Sequence, residues 1–478
     1  MRIAWGGSNS LATAVLGAFP IIFGLSFYQG LAATISGVTL GAIVLAPMAI
    51  FGPITGTNNA VSSSAHFGVV GRIVGSFLSL LTAICFFSIS VWSSGDALIG
   101  AIRRMTSLQP SEIDYAIAYG AFALAVLAVS IYGFRLMLLV NKIAVVAASA
   151  LFIMGFLVFW PNFDPGFRGL AFPTGSARFW SAFVGSALVA LANPISFGAF
   201  LGDWTRYLPR RTNPWRLMGA SVLAQALSLV PFCFGLMTTS IIASRAPAFL
   251  TQVDYTGGLI AVAPRAFFVP LMLLAVLSGM STGTTSLYGT GLDFSSVLPR
   301  FSRPQATLLV GSIAIGLIYV GRFVFDLTDA ITTFVSLIVV TTTPWMVIMI
   351  IGYVTRRGHY LPEAMQVFNR GQQGGPYWFR SGWNICGVVT WAVSGAASLS
   401  LVDMPGHFVG YFGRSAGGLD LSLISALALP ALIYPLLLHL FPEPRAVFGP
   451  NGPRWIPAVD RPIEPVRARS MSAMEHVR

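Results

Sequence analysis

Nine consecutive residues, Ser278-Gly279-Met280-Ser281-Thr282-Gly283-Thr284-Thr285-Ser286, place six hydroxyls and a single large apolar side chain inside an otherwise apolar run. Hydroxyl oxygens are ligands for hard cations such as Na⁺. The same small residues also let two helix backbones approach closely, so packing is the competing reading. Two further segments interrupt apolar runs: Gly6-Gly7-Ser8-Asn9-Ser10 and Ala192-Asn193-Pro194-Ile195-Ser196. Helical hydrogen bonding is expected to fail at both, freeing carbonyls that a cation or neighbouring helices could satisfy. Covalent chemistry finds no support. The chain has no His/Asp pair and no cluster of carboxylates at membrane depth, as an acyl or prenyl transferase would need. Cys85, Cys233 and Cys386 are far apart, with no paired spacing, and read as small apolar residues.

The elements that must position these residues are set by composition. Of 478 residues 55% are apolar and 9% charged, and the mean hydropathy is +0.77. An ordinary soluble protein and a disordered chain are both excluded. A bilayer core needs about 20 apolar residues as helix. Twelve runs meet that template, at 3–25, 30–53, 71–95, 115–134, 139–160, 178–201, 216–242, 264–291, 305–321, 325–352, 383–402 and 420–441. Their continuous apolarity excludes the ten-residue alternation of a barrel. The expected organisation is a transporter domain over 1–441, with spans 1–5 (3–160) and spans 6–10 (178–352) as two repeats and spans 11 and 12 (383–441) appended. A disordered inner tail is expected over 442–478.

The net charge of +12 raises the possibility of nucleic-acid binding, but its distribution assigns it elsewhere. With the N-terminus inside, 20 of the 28 basic residues fall on the inner side and eight outside. That asymmetry is the positive-inside signature, and it puts both termini in the cytoplasm of a multi-pass plasma-membrane protein. No nucleic-acid partner is expected. The partners are the bilayer and a small molecule; the oligomeric state is open, and a monomer suffices.

Spans 1 and 6 open corresponding halves of a five-plus-five arrangement, and each carries a break. Inverted-repeat secondary transporters place paired broken helices at the midplane, where freed carbonyls hold an ion and half-helix ends face the substrate. The expected fold is therefore all-α, with ten core helices in two inverted repeats and two C-terminal helices. A channel, or a sensor on the same fold, stays open as an alternative.

The stretch Pro194-Ile195-Ser196-Phe197-Gly198-Ala199-Phe200-Leu201-Gly202-Asp203-Trp204-Thr205-Arg206-Tyr207-Leu208-Pro209 resembles the span-6 motif of the nucleobase-cation symporters, a family of purine-cytosine, hydantoin and allantoin transporters. Trp5, the run Ser62 to Gly71, Pro344-Trp345, Gly352-Tyr353 and Arg356-Arg357 support the likeness, which covers essentially the whole chain. The resemblance implies the leucine-transporter-like fold and import of a small nitrogenous heterocycle by cation-coupled alternating access. The substrate class would be cytosine, a purine, uracil, a hydantoin or allantoin, with a non-nucleobase small molecule as the alternative. No cofactor is implied beyond a coupling ion, Na⁺ or H⁺.

Carried over by position, the cation site would comprise backbone oxygens near Gly7 and Ser10 with Ser278, Ser281 and Thr282. The substrate site would comprise Phe86, Ser90, Asn193, Pro194, Phe197 and Thr285. Here the match departs from the family: its span-3 tryptophan falls on Phe86, its glutamine on Ser90, its span-6 Gly-aromatic pair on Asn193-Pro194, and a span-8 amide on Leu287. One aromatic wall survives at Phe86, and Phe197 is the candidate for the other. Asn193, with donor and acceptor capacity, is the candidate for reading the ligand edge; a helix-break cap or interhelical bond is its structural alternative, as core packing is for Phe86. Asp203 is expected to pair with Arg206 as an inner anchor. Asp96 closes span 3 outside, Asp293 follows span 8, and Asp326 and Asp329 begin span 10. His66 is expected to meet solvent or headgroups in an inner loop.

Overall fold

The computed structural model describes residues 7–106, 109–251, 254–297, 301–324, 327–404 and 408–468. Trp5 and Asp326, and the side chains of Asp293 and Asp329, lie outside the described residues. The helices that follow the expected spans are α1 (Leu11–Ile22), α2 (Phe27–Leu45), α3 (Ile73–Thr106), α4 (Glu112–Tyr132), α5 (Phe134–Phe159) and α6 (Ala177–Ser196). They continue as α7 (Pro214–Arg245), then α8 (Phe268–Val297), α9 (Arg303–Phe323), α10 (Leu327–Thr355), α11 (Ile385–Ser400) and α12 (Ser422–Leu440). Among the described residues ten helices are long and apolar enough to cross a membrane, while α1 and α11 are shorter apolar helices. Ten of the twelve expected spans thus coincide with a helix of membrane-crossing length, and the other two with shorter apolar helices.

Polar residues at the loop boundaries start the helices. Ser26, Ser111 and Ser302 each close a capping box with Gln29, Asp114 and Gln305 respectively, satisfying backbone donors that the first turn leaves free. Ser176 and Asn384 cap α6 and α11 through Phe179 N and Cys386 N. Between the caps, α3 and α6 are enclosed over most of their length, whereas α5 and α12 present mostly lipid-facing surface.

Helix pairing carries the internal symmetry. α1 packs on α7 and α2 on α6; α3 packs on α8; α3 meets α4 as α8 meets α9; and α5 meets α8 as α10 meets α3. Adding or subtracting five exchanges the members of every pair, which is the relation expected of two five-helix repeats. The two equivalent crossings use the same device. A Cβ on Gly235 of α7 would stand 1.9 Å from the Ala14 carbonyl oxygen, and one on Gly37 of α2 would stand 2.1 Å from that of Ala187. Small residues at these points let the backbones touch, which is how helices associate without a hydrophobic driving force between them.

The end of the bundle that carries the C-terminal segment is more ordered than expected. Residues 443–468 do not form a disordered tail: β2 (Glu443–Pro444) pairs in parallel with β3 (Ala458–Val459), and β1 (Gln372–Gln373) pairs antiparallel with β4 (Arg467–Ala468). The physical reason is a buried ion pair that polarity alone does not reveal. Arg356 Nη2 donates to Glu443 Oε2 at 2.5 Å, and Asn384 Nδ2 donates to Glu443 Oε1 at 2.6 Å. The α2–α3 loop is folded beneath this cap. Val70 N donates to the Gly382 carbonyl at 2.8 Å, and Asn384 N to that of Phe67 at 2.8 Å.

His66 is accordingly buried, not in contact with solvent or headgroups. Its Nδ1 faces Arg356 Nη1, and its Nε2 lies 3.1 Å from the Tyr360 hydroxyl. A guanidinium only donates, so Nδ1 accepts and the ring is neutral with its proton on Nε2. Burial, reinforced by the Arg356 charge, holds its pKa well below the ordinary histidine value.

Two outcomes follow for stability. Gly37→Val or Gly235→Val drives a side chain into a backbone carbonyl and should cost at least about 3 kcal/mol, read as loss of the monodisperse species in detergent; Gly219→Ala, which meets nothing within 4 Å, should leave it intact. An unfolded histidine takes up a proton near pH 6.5 while folded His66 does not, so its contribution is present above that pH and lost as pH falls. Between pH 7.5 and 5.5 the wild type should lose about 1.4 kcal/mol from this group, a loss absent in His66→Gln when thermal transitions at the two pH values are compared.

Candidate functional site

The regular helix α1 begins only at Leu11, because Ser10 turns extended (φ −140°, ψ 159°) and caps it through Thr13 N. Gly7 and Ser8 are helical and Asn9-Ser10 interrupt the run before Leu11, so the break falls at residues 9–10 among buried residues of the bundle. The hydroxyls of α8 meet the backbone on both sides of the break: Thr282 Oγ1 donates to the Gly7 carbonyl at 3.1 Å, and Leu11 N donates to Ser278 Oγ at 3.0 Å. Ser281 Oγ accepts from Asn141 Nδ2 of α5 at 2.9 Å. Gly7, Ser278, Ser281 and Thr282 are thus gathered around one break. The Ser10 carbonyl is less accessible, since Thr13 N and Ala14 N both donate to it.

Helix α5 contributes where sequence reasoning saw only a span. Asn141 orients Ser281, and Ser149 Oγ accepts from Asn9 Nδ2 at 2.9 Å. Amide and hydroxyl residues in a lipid-facing helix were the available signal. The opposite wall is α6. Asn193 Nδ2 donates to Ser8 Oγ at 3.4 Å, and Asn193 Oδ1 is buried with no hydrogen-bond partner among the described residues.

The break in span 6 falls later than Asn193-Pro194. α6 runs through Pro194 to Ser196, opens at 197–200, and resumes as the short helix Leu201–Thr205. Pro194 removes one donor without ending the helix, because the terminal turn is closed by Phe197 N to the Pro194 carbonyl at 3.1 Å and Gly198 N to that of Ile195 at 2.9 Å. The Pro194 ring packs on α2 beside Gly41.

Between the two breaks lies a small cavity of about 20 Å³ bounded by Gly7, Thr82, Phe86, Phe197, Phe200, Trp204, Thr282 and Thr285. That volume admits about one water and no heterocycle. Phe86, Phe197 and Thr285 are therefore brought together with Gly7 and Thr282. A Cβ on Gly7 would meet the Phe197 ring at 3.3 Å, so glycine there lets the ring lie over the backbone. Ser90, Asn193 and Pro194 do not line this cavity; Ser90 Oγ donates to the Phe86 carbonyl one turn back at 2.6 Å. Trp204, with its ring 5.7 Å from that of Phe197, was missed as a wall although it stands in the span-6 motif.

The cavity shares the walls Phe200, Trp204 and Thr285 with a second one lined by Asp203, Arg206 and Tyr207. The expected Asp203–Arg206 pair is not formed. Asp203 is buried, while half-exposed Arg206 donates to the Tyr207 hydroxyl at 3.1 Å and stacks on its ring. At the other end of the bundle a third cavity contains Trp92 and Asp96. Asp96 does not close α3 but lies well inside it, buried and accepting from the Tyr119 hydroxyl, to which Arg322 Nε also donates at 3.2 Å.

Residues 2–419 match the family of permeases for cytosine/purines, uracil, thiamine and allantoin. The putative purine-cytosine permease YxlA of Bacillus subtilis (strain 168) is 27% identical over 454 residues, 91% of each chain. The vitamin B6 transporter TPN1 of Saccharomyces cerevisiae is 24% identical over 151 residues, 32% of this chain and 24% of that one. Among solved structures, the nucleobase-cation-symport-1 family transporter Mhp1, closed with bromovinylhydantoin bound, superposes with a TM-score of 0.70 at 17% identity over 94% of this chain and 93% of that one.

Removing the hydroxyl that meets the break tests this arrangement. Thr282→Val keeps the shape but leaves the Gly7 carbonyl without its donor, and should cost about 1 to 3 kcal/mol of thermal stability. Ser130→Ala, whose hydroxyl only bonds back to Val126 within α4 at 2.8 Å, should change it by less than about 0.5 kcal/mol.

Proposed function

The chain belongs to the family of permeases for cytosine/purines, uracil, thiamine and allantoin, and from that premise we propose that it imports a nucleobase or related flat nitrogenous heterocycle together with a cation. It is a multi-pass membrane transporter, not an enzyme. One observation carries the finer reading: the α8 hydroxyls meet the α1 break on one side of Gly7, and an aromatic-walled cavity opens on the other. A cation drawn to the Gly7 carbonyl and the Ser278, Ser281 and Thr282 oxygens would lie beside the heterocycle. Oxygen ligands suit Na⁺; the coupling ion is Na⁺ or H⁺, and the uptake experiment distinguishes them.

In this reading Phe86 and Phe197 or Trp204 stack on the two faces of the ring, Thr285 meets its edge, and Asn193 couples that edge to Ser8 in the break. The cavity must widen to accept a ligand. Rocking of the helices that carry the breaks alternately opens the path past Trp204 toward Asp203 and the path past Trp92 toward Asp96. The basic asymmetry of the sequence supports a cytoplasmic Asp203 end and cytoplasmic termini. Inward movement of one charge down 100 mV supplies about 2.3 kcal/mol, enough for about fiftyfold accumulation.

Uptake into proteoliposomes decides this. Labelled cytosine, purines, uracil, hydantoins and allantoin are offered with and without Na⁺ or proton gradients, with pyridoxine added because one relative is a vitamin B6 transporter. At least one compound should accumulate under one gradient. Phe86→Ala should raise its KM about tenfold through lost stacking, and Ser281→Ala should abolish the gradient dependence. Absence of both uptake and binding across the panel would overturn the proposal.

A further inference from the structure

A large cavity lies apart from the aromatic cavity of the candidate site. About 390 Å³ lies between the α10–α11 loop, the start of α11, the end of α12 and the tail after Glu443. Both helices terminate there, so the cavity sits where the apolar core of the bilayer gives way to its headgroups. Its apolar side is formed by Ile385 and Val389 of α11 with Leu437 and Phe441 at the end of α12. That side runs on along a lipid-facing strip: Ile385, Val389 and Val393 are exposed on α11, as are Leu432, Leu436 and Leu440 on α12.

The opposite side carries charge. Arg380 and Arg461 both line the cavity, and neither guanidinium has an ion-pair or hydrogen-bond partner among the described residues. Glu443 also faces it, but its two oxygens are already held by Arg356 and Asn384. Glu464 is the remaining carboxylate, leaving two guanidiniums against one free acid. Arg380 is positioned by an unusual loop. Phe379 (φ 45°) and Ser381 (φ 51°) flank it in the left-handed region, a conformation that side chains adopt only when their surroundings impose it. Trp378 and Trp383 complete the wall, the residue type that favours the membrane interface.

We propose that this cavity is a binding site for an anionic phospholipid, whose headgroup phosphate meets Arg380 and Arg461 while an acyl chain follows the groove of α11 and α12. Guanidinium groups match phosphate oxygens in bidentate geometry, and basic pockets at the ends of membrane helices are suited to anionic headgroups. A soluble anion would leave the apolar wall unused, and a zwitterionic lipid would bring no net charge to the two guanidiniums. The bound lipid would tie the tail to the α10–α11 loop, and through Glu443 and Arg356 to the end of α10.

Native mass spectrometry of the full chain in detergent, titrated with phosphatidylglycerol or phosphatidylcholine of the same acyl chains, tests the site. The wild type should retain phosphatidylglycerol at least tenfold more tightly. Arg380→Gln with Arg461→Gln should abolish that preference while keeping the lipid-free thermal transition of the wild type, and the double Lys variant should keep most of it. Val389→Trp, which blocks the apolar side, should weaken retention without altering charge and serves independently if the double Gln variant does not fold. Equal retention of the two lipids by the wild type, or an undiminished preference in the folded double Gln variant, would overturn the proposal. So would inorganic phosphate raising the thermal transition as much as phosphatidylglycerol does, because the site would then select an anion and not a lipid.

Discussion

A helix broken at membrane depth exposes peptide groups that hydrocarbon cannot satisfy, and this structure is arranged around meeting that demand. The break before Leu11 is answered by Thr282 on one side and Ser278 on the other. The hydroxyl stretch of α8 must then face inward at this depth, which explains why α8 has the lowest mean hydropathy, 1.4, among the ten long helices. Once α8 is fixed against α1, α5 is required behind it to hold Ser281 through Asn141. The same hydrogen bonds are exchangeable: a carbonyl that accepts from a hydroxyl can also face a cation, so the structural reading and the proposed ion site share their atoms.

The paired crossings give that site its mechanical setting. Backbone contact at Gly235 and at Gly37 makes α1 with α7 and α2 with α6 close-packed, symmetry-related units. Close-packed elements move as bodies more readily than they deform. In the proposed function, motion of such units about the breaks would open one end of the bundle while closing the other, without new contacts having to form within each unit. The aromatic cavity between the breaks is small because Phe197 lies directly over Gly7 and Trp204 adjoins Phe197.

The cap built by the C-terminal segment follows a different logic. Arg356 is held at the end of α10 by Glu443 from the tail and by His66 from the α2–α3 loop. Burying an ion pair is costly unless its hydrogen bonds are completed, and Asn384 completes them here. The segments so joined belong to both repeats and to the appended helices, so the tail is part of the transporter body through residue 468.

Composition and apolar run length alone determined that the chain lies in a membrane as a helical bundle, because transfer of peptide and side chains into lipid depends on local content. The hydroxyl stretch, the glycine-serine break and the span-6 motif were equally legible, being contiguous, and the structure gathers Gly7, Ser278, Ser281 and Thr282 in one place. Partnerships between distant segments were not legible. Asn141 looked like an ordinary span residue, Trp204 like one more residue of the span-6 motif, His66 like a loop residue, and Glu443 like the start of a disordered tail. Each acquires its role from a neighbour more than a hundred residues away, or, for Glu443 and Trp204, from a surface that exists only after the bundle closes. Charge spacing was no guide for the same reason: Asp203 and Arg206 stand one turn apart, yet the described partner of Arg206 is the hydroxyl and ring of Tyr207. Local chemistry sets which groups demand satisfaction in the bilayer, and only tertiary structure decides which partners supply it.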